Sequence, residues 1–328
     1  MKAVLVEQPG SSEQLKVVER EIPKIKEGWS LVKIKGFGIN RSEIFTRKGY
    51  SPSVVFPRVL GIECVGIIEE TSDKNHFFHG QKVVSIMGEM GRAFDSSYAE
   101  YVLLPNEQIY PIKTNLTWDK LAAAPESYYT AYGAYKNLKL KKQDLVLVRA
   151  GASGVALAFL NLLKASLPEI KVTASVRSLA KKQQLLDSGY DEVIIDRDSC
   201  LQTKQKFCLQ TKQKFDKVLD LIGPACIDDT LNHVADGGII CLVGLLGGQW
   251  TLDNFDPIMA LQNNIYLTTF YSGNINLNKL QELFDFIAKY AVPIKAEKIF
   301  TIDHIKEAHD YLESPQAFGK VIVLNGDA

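Results

Sequence analysis

The sequence predicts an α/β protein in two parts, a doubly wound parallel sheet joined to a mostly antiparallel β-domain. Two observations carry that expectation. From residue 1 to about 115, short β-branched runs are broken by Gly and Pro, at Ala3–Val6, Ser30–Lys35, Gly66–Glu69, Lys82–Ile86 and Ala99–Leu104. Strands at that spacing suit a small antiparallel barrel. After Trp118 the period changes, and helical and strand patterns alternate to residue 269. Regular βαβ alternation calls for a parallel sheet with helices on both faces.

The elements follow in order. Lys120–Glu126 and Tyr128–Leu138 read as helices, and Asp144–Val148 as a buried strand. Val155–Ala165 and Leu179–Asp187 read as helices around the strand Lys171–Val176, and Glu192–Ile195, Lys217–Leu221, Ile239–Val243 and Ile265–Thr269 as further strands, with a helix near Ile227–Val234. A helix from about Leu277 to Tyr290 leads to Lys298–Ile302, a helix near Ile305–Leu312, and a closing strand Lys320–Leu324 expected to return to the first domain. The expected domains are 1–118 with 293–328, and 119–292.

Composition narrows the function classes. Lys plus Arg number 38 and Asp plus Glu number 38, so no global field favours nucleic acid or an acidic membrane surface. The start of the chain turns polar at Glu7-Gln8-Pro9-Gly10, too soon for a signal peptide, and the apolar run Ile239–Leu246 falls far short of a membrane span. A cytoplasmic protein is expected. The five cysteines form no C-x-x-C pair, which speaks for reduced, mostly buried thiols. His76 with His79, and His304 with His309, lie in polar stretches without further ligands and read as surface histidines.

Cys200–Phe207 (CLQTKQKF) recurs unchanged as residues 208–215. Eight residues turn a helix by about 800°, leaving the copies roughly 80° apart, so they cannot stack as a repeat. The segment reads as a tandem duplication in a surface helix. Removing one copy is expected to leave the protein's activity intact; its loss would give the duplication a functional role.

The cofactor signal is local. Leu145-Val146-Leu147-Val148-Arg149-Ala150-Gly151-Ala152-Ser153-Gly154-Val155-Ala156 has the form of a strand ending in a small-residue turn and opening a helix. A dinucleotide pyrophosphate needs that close backbone approach and the free N–H groups of the helix start. Gly151, Ala152, Ser153, Gly154 and Val155 are therefore cofactor candidates in a Rossmann-type arrangement, with Ala156 replacing the third glycine. About 20 residues further on, NAD enzymes present Asp or Glu to the ribose 2′-hydroxyl. Here the second strand ends Ser175-Val176-Arg177-Ser178, Lys181 and Lys182 follow, and no acid occurs from Ile170 to Leu186. Ser175, Arg177, Ser178 and Lys181 suit a 2′-phosphate, which predicts NADPH over NADH. Tyr132-x-x-x-Lys136 has the spacing of a short-chain dehydrogenase pair, but it precedes the glycine turn where that pair follows it.

These stretches, together with 38–50 (GINRSEIFTRKGY), 56–66 (FPRVLGIECVG), 97–101 (SYAEY), Thr130-Ala131-Tyr132 and Gly319-Lys320-Val321, resemble the medium-chain dehydrogenase/reductase superfamily, specifically its zinc-free quinone oxidoreductase branch. The resemblance implies a GroES-like β-domain beside the Rossmann sheet, a homodimer paired along Ile265–Thr269, and hydride transfer to a quinone or α,β-unsaturated carbonyl received between the domains. Where zinc-dependent relatives carry a cysteine ligand this chain has Asn40, and their Gly-His-Glu becomes Gly61-Ile62-Glu63, so a zinc alcohol dehydrogenase is disfavoured. Without a metal, the acceptor needs orientation and a donor for its developing oxyanion; Asn40 and Tyr50 are the candidates. The resemblance further implies that Thr130 contacts the cofactor, Lys181 the 2′-phosphate, and the backbone of Val243, Gly244 and Leu245 the carboxamide. The family's tyrosine after the third strand is Asp196 here. A NADPH-binding redox sensor or structural protein with little turnover is the alternative.

Overall fold

The computed structural model describes residues 1–197, 200–202, 213–261 and 264–326, and the chain divides into two compact units. One unit comprises Met1–Tyr129, Ser272–Lys289 and Ile294–Ala328, the other Thr130–Tyr271 and Tyr290–Pro293.

In the second unit the strands form a seven-stranded sheet in the spatial order Cys200–Gln202, Glu192–Arg197, Lys171–Val176, Leu145–Val148, Phe215–Asp220, Val234–Leu242, Tyr266–Thr269. Neighbours pair in parallel except at Cys200–Gln202, which runs antiparallel to Glu192–Arg197. Numbered by the parallel strands alone, the order is third, second, first, fourth, fifth, sixth, the doubly wound Rossmann arrangement. Leu145–Val148 is flanked on both sides, and Val146, Leu147 and Val148 are wholly buried. That explains why it reads as an unbroken apolar run rather than an alternating one. The order reverses between Leu145–Val148 and Phe215–Asp220, and the crevice outside the carboxyl ends of strands at such a switch point is where open α/β sheets take ligands.

The duplicated segment corrects one expectation. Cys200–Gln202, the start of the first copy, is an edge strand and not a helix, and Phe215, the last residue of the second copy, is buried in the strand Phe215–Asp220. Pairing with an open sheet edge satisfies the backbone here as a helix would have done. Residues 203–212 lie outside the described part of the chain.

The first unit is mostly antiparallel, as expected of the β-domain. Its larger sheet runs Lys298–Thr301, Val321–Leu324, Trp29–Ile39, Glu63–Thr71, Lys82–Ile86, Tyr110–Pro111, with Tyr101–Pro105 also paired to Trp29–Ile39. A three-stranded sheet joins Leu15–Glu19, Lys2–Val6 and Arg58–Val59. The closing strand returns as expected, pairing antiparallel to Trp29–Ile39 with Val321 opposite Ile39, which sets Lys320 beside Asn40. The helix Leu277–Lys289 buries Leu280, Leu283, Phe284 and Ile287, the i, i+3, i+4, i+7 stripe that its sequence spells. At roughly 2 kcal/mol for each fully buried side chain, that stripe fixes which face packs.

His309 corrects another expectation. It is fully buried on the helix Ile305–Glu313, and its Nε2 lies 2.9 Å from the Tyr98 hydroxyl. Ile305, Ala308 and Leu312 line the same face, so the polar run hides an apolar stripe in which His309 is one step. Burial, then the nearby Arg47, hold its imidazole down at about 3, a neutral core residue. Of the described cysteines, Cys64, Cys226 and Cys241 are buried and Cys200 is exposed, and burial pushes the Cys64 and Cys241 thiols up to about 12.

Candidate functional site

The turn after Leu145–Val148 is built from the backbone outward. Ala150, not a glycine, takes the left-handed conformation, with φ of 59°, which costs a residue with a Cβ roughly 1–2 kcal/mol. Its N–H reaches Ser175 Oγ at 3.3 Å, Gly151 N–H donates to Ser175 O at 2.9 Å, and Ser153 N–H donates to Ala150 O at 3.1 Å. A Cβ at Gly151 would come within 2.6 Å of Ala174 Cβ, so this glycine lets the turn lie against the second strand. The helix Gly154–Ser166 opens with Ser153 as N-cap, its hydroxyl accepting from Ala156 N–H at 3.3 Å. Ala156 is fully buried and its carbonyl takes the Tyr190 hydroxyl, so an alanine serves where a third glycine would bring helix and strand together.

These bonds use the N–H groups of Ala150, Gly151, Ser153 and Ala156. Those of Ala152, Gly154 and Val155 have no acceptor among the described residues, as the first amides of a helix lack partners within it. Such orphaned donors at the positive end of a 13-residue helix are what a phosphate or pyrophosphate requires. The turn fits the group.

The basic cluster divides. Arg177 and Ser178 are exposed just past the second strand, and Arg177 has no ion-pair partner among the described residues. Lys181 closes the short 3-10 turn Leu179–Lys181 and is half-buried. Ser175 differs from its expected role. It is fully buried and its hydroxyl donates to Asp196 Oδ2 at 3.0 Å, because in the strand Lys171–Val176 this side chain is turned into the protein. It supports Ala150 from behind and offers nothing at the surface.

Asp196 is explained by Arg149, a charge the sequence reading passed over. Arg149 is completely buried; its Nε and Nη2 donate to Asp196 Oδ2 at 3.0 and 2.7 Å, and its Nη1 to Asp229 Oδ2 at 2.9 Å and Thr230 Oγ1 at 2.8 Å. Thr230 in turn donates to Asp220 Oδ2 at 2.7 Å. The guanidinium thus ties the carboxyl ends of the first, third and fourth parallel strands beneath the switch point. Asp196 is neutralised inside this network, so it presents no free negative charge beside Arg177. A cationic residue closing an otherwise apolar strand was the available signal.

Thr130 lies almost buried on the helix Pro125–Asn137. Of the Val243–Leu245 run, Val243 and Gly244 already donate to the Asp220 carbonyl, at 3.0 and 3.4 Å, and the Leu245 amide takes no part in those bonds. Lys136 sits over the Tyr132 ring, 5.8 Å from its centre, a packing contact.

In the first unit, Asn40 joins a buried charge cluster. Its Oδ1 accepts from Lys320 Nζ at 2.6 Å, its Nδ2 donates to Glu63 Oε1 at 2.8 Å, and Glu43 Oε1 lies 3.5 Å from the same Nδ2. Lys320 also binds Glu63 Oε1 at 2.5 Å. Glu43 accepts from Asn40 N–H at 3.0 Å and Ile62 N–H at 3.2 Å, while Glu126 N–H caps Glu63 Oε2 at 2.8 Å. Burial, then the adjacent Glu63 carboxylate, push the Glu43 carboxyl up to about 7. Ile62 presents only hydrocarbon at the expected ligand position and is buried. Tyr50 is 62% exposed, next to Phe45, and the cluster does not include it. Among the described residues no group of three or more His, Cys, Asp or Glu side chains is placed to hold a metal ion.

Comparison with known proteins matches residues 26–114 to the alcohol dehydrogenase GroES-like domain and residues 188–323 to a family described as zinc-binding dehydrogenase. The human quinone oxidoreductase is 26% identical over 99% of this chain and 98% of its own. Among solved structures, the quinone oxidoreductase from Coxiella burnetii superposes with a TM-score of 0.81 at 24% identity, covering 99% of each chain. The yhdH oxidoreductase from Salmonella enterica, solved in complex with NADP, gives 0.84 at 19% identity, over 99% of this chain and all of that one. The chain belongs to the medium-chain dehydrogenase/reductase superfamily. Within it, the chain falls in the quinone oxidoreductase branch, a family of nicotinamide-dependent oxidoreductases. No helix among the described residues is long and apolar enough to cross a membrane.

Proposed function

We propose that this chain is an NADPH-dependent reductase of quinones or α,β-unsaturated carbonyls that works without zinc. The observation that carries the reading is the pairing of amides at Ala152, Gly154 and Val155 that have no acceptor among the described residues with an exposed Arg177, without an ion-pair partner among them, at the end of the next strand. The first would hold the pyrophosphate, and Arg177, with Ser178 and Lys181, the 2′-phosphate. Thr130 and the Leu245 amide would orient the nicotinamide end. NADPH, when bound, supplies the hydride.

Zinc independence rests on the donor set. Asn40 is engaged with Lys320 and Glu63, and Ile62 offers no lone pair. The Asn40 amide is the candidate donor to the acceptor's developing oxyanion, with Tyr50 as the exposed alternative. A homodimer paired along Tyr266–Thr269 completes the reading, supported by that strand's place at the sheet edge with Tyr266 exposed.

One observation favours the second reading, a NADPH-binding protein with little turnover: the Asn40 side chain faces carboxylates with its donors. Steady-state NADPH oxidation across a panel of quinones and enals, repeated after exhaustive chelation, decides. Turnover unaffected by chelation is the expected result. Tight NADPH binding without turnover on any acceptor would establish the sensor, and loss of turnover on chelation would overturn zinc independence.

A further inference from the structure

We propose that Glu43 is a positioning residue whose protonation releases one N–H of the Asn40 amide towards the acceptor and whose ionisation withdraws it. The inference rests on the reading of Asn40 as oxyanion donor and adds how that donor is controlled.

The geometry is that of an unbalanced buried charge set. Two carboxyl groups, Glu43 and Glu63, and one ammonium, Lys320, share the Asn40 side chain, and all three charged residues are 6% exposed or less. With both carboxyls ionised the set carries one uncompensated negative charge, which a water-poor interior penalises heavily. With a proton on one carboxyl it is neutral. Glu63 has the ammonium at 2.5 Å and a backbone amide at 2.8 Å. Glu43 has only backbone amides within ordinary hydrogen-bond reach, so it is the group that holds the proton.

The other groups facing the pair do not replace that missing cation. Tyr98 lies within the field of both carboxylates, and its phenol is held well above its usual range by burial and then by Glu43. Arg47, one turn further along the same helix, pairs through Nη2 with Glu313 on the helix Ile305–Glu313, which Lys48 shares, and its guanidinium makes no hydrogen bond to Glu43 or Glu63. His309, from that helix, is neutral, as its burial dictates.

The consequence falls on Asn40. Its amide nitrogen has two hydrogens, one given to Glu63 at 2.8 Å and one directed at Glu43 Oε1 across 3.5 Å. A charged Glu43 strengthens that second, stretched contact, since hydrogen bonds to ionised acceptors are about twice as strong as neutral ones. A neutral Glu43 leaves it weak, and Asn40, a partly buried residue, can give this hydrogen to an oxyanion. The sign is therefore an activity that is full on the acid side and declines as Glu43 ionises near neutrality.

The test follows kcat for a good quinone acceptor at saturating NADPH from about pH 5.5 to 9, beside the carboxyl carbon-13 resonances of glutamate-labelled protein. Expected are a kcat that falls through one ionisation to a plateau about tenfold lower on the alkaline side, and a glutamate carboxyl titrating with the same midpoint. In Glu43→Gln the limb and the titrating signal should both vanish, whatever the absolute rate. If that variant does not fold, the wild-type comparison decides alone: coincident midpoints support the assignment, and a flat kcat profile or separate midpoints overturn it. A limb that persists in folded Glu43→Gln overturns it too. Absence of turnover on every acceptor at every pH overturns the reductase reading and this inference together, an outcome distinct from turnover with a flat profile.

Discussion

Arg177→Asp is expected to weaken NADPH binding by on the order of 100-fold while NADH affinity changes only a few-fold. The argument is electrostatic. Arg177 is exposed, without an ion-pair partner among the described residues, and placed one residue beyond the second parallel strand, where Rossmann enzymes discriminate the two cofactors. A charge-assisted contact to phosphate contributes about 1.5–3 kcal/mol. Reversing the charge adds repulsion, so a total near 3 kcal/mol corresponds to roughly two decades in Kd. Because the site faces solvent, the loss should shrink as salt rises. Fluorescence titration of both cofactors at low and high ionic strength measures it. A preference for NADPH unchanged in the variant would remove the 2′-phosphate from this corner of the site.

Arg149→Met should cost about 3–5 kcal/mol of stability, because truncating one partner of a buried ion pair strands the other. Asp196 would remain buried without its guanidinium, and Asp229 and Thr230 would lose a donor. The companion change Asp196→Asn in the same chain should restore part of that loss, since a neutral amide is less costly to bury. Urea unfolding of the two single variants and the double variant gives the coupling directly. A single-variant loss under about 1 kcal/mol would mean that the network is slack and that the strand ends are held by packing alone.

Sequence patterning made much of the fold legible, and the reason is periodicity. Unbroken apolar runs such as Val146-Leu147-Val148 announced strands buried on both faces, and the stripe from Leu280 to Ile287 announced a helix with one buried face. The turn at Gly151 and the basic residues after Val176 were also readable, since both depend on neighbours within a few positions. What stayed hidden depends on partners far apart in the chain. Lys320 meets Asn40 across 280 positions, and Arg149 meets Asp196 across 47. No local spacing encodes such pairs. His309 misled for a related reason: its neighbours Lys306, Glu307 and Asp310 face outward, and only the helical period places it on the face that packs. The duplicated octapeptide misled because a helix was inferred where an unpaired sheet edge was available.

That edge has a consequence for assembly. Parallel strands invite further strands along either flank, and a sheet open on both sides can stack end to end without limit. Here one flank finishes in Cys200–Gln202, three residues running against the grain of the other six strands. Among the described residues the opposite flank, Tyr266–Thr269, is the parallel border. In the homodimer proposed above, Tyr266–Thr269 would therefore be the border along which the two sheets join, and the Cys200–Gln202 flank would lie at the far end of each.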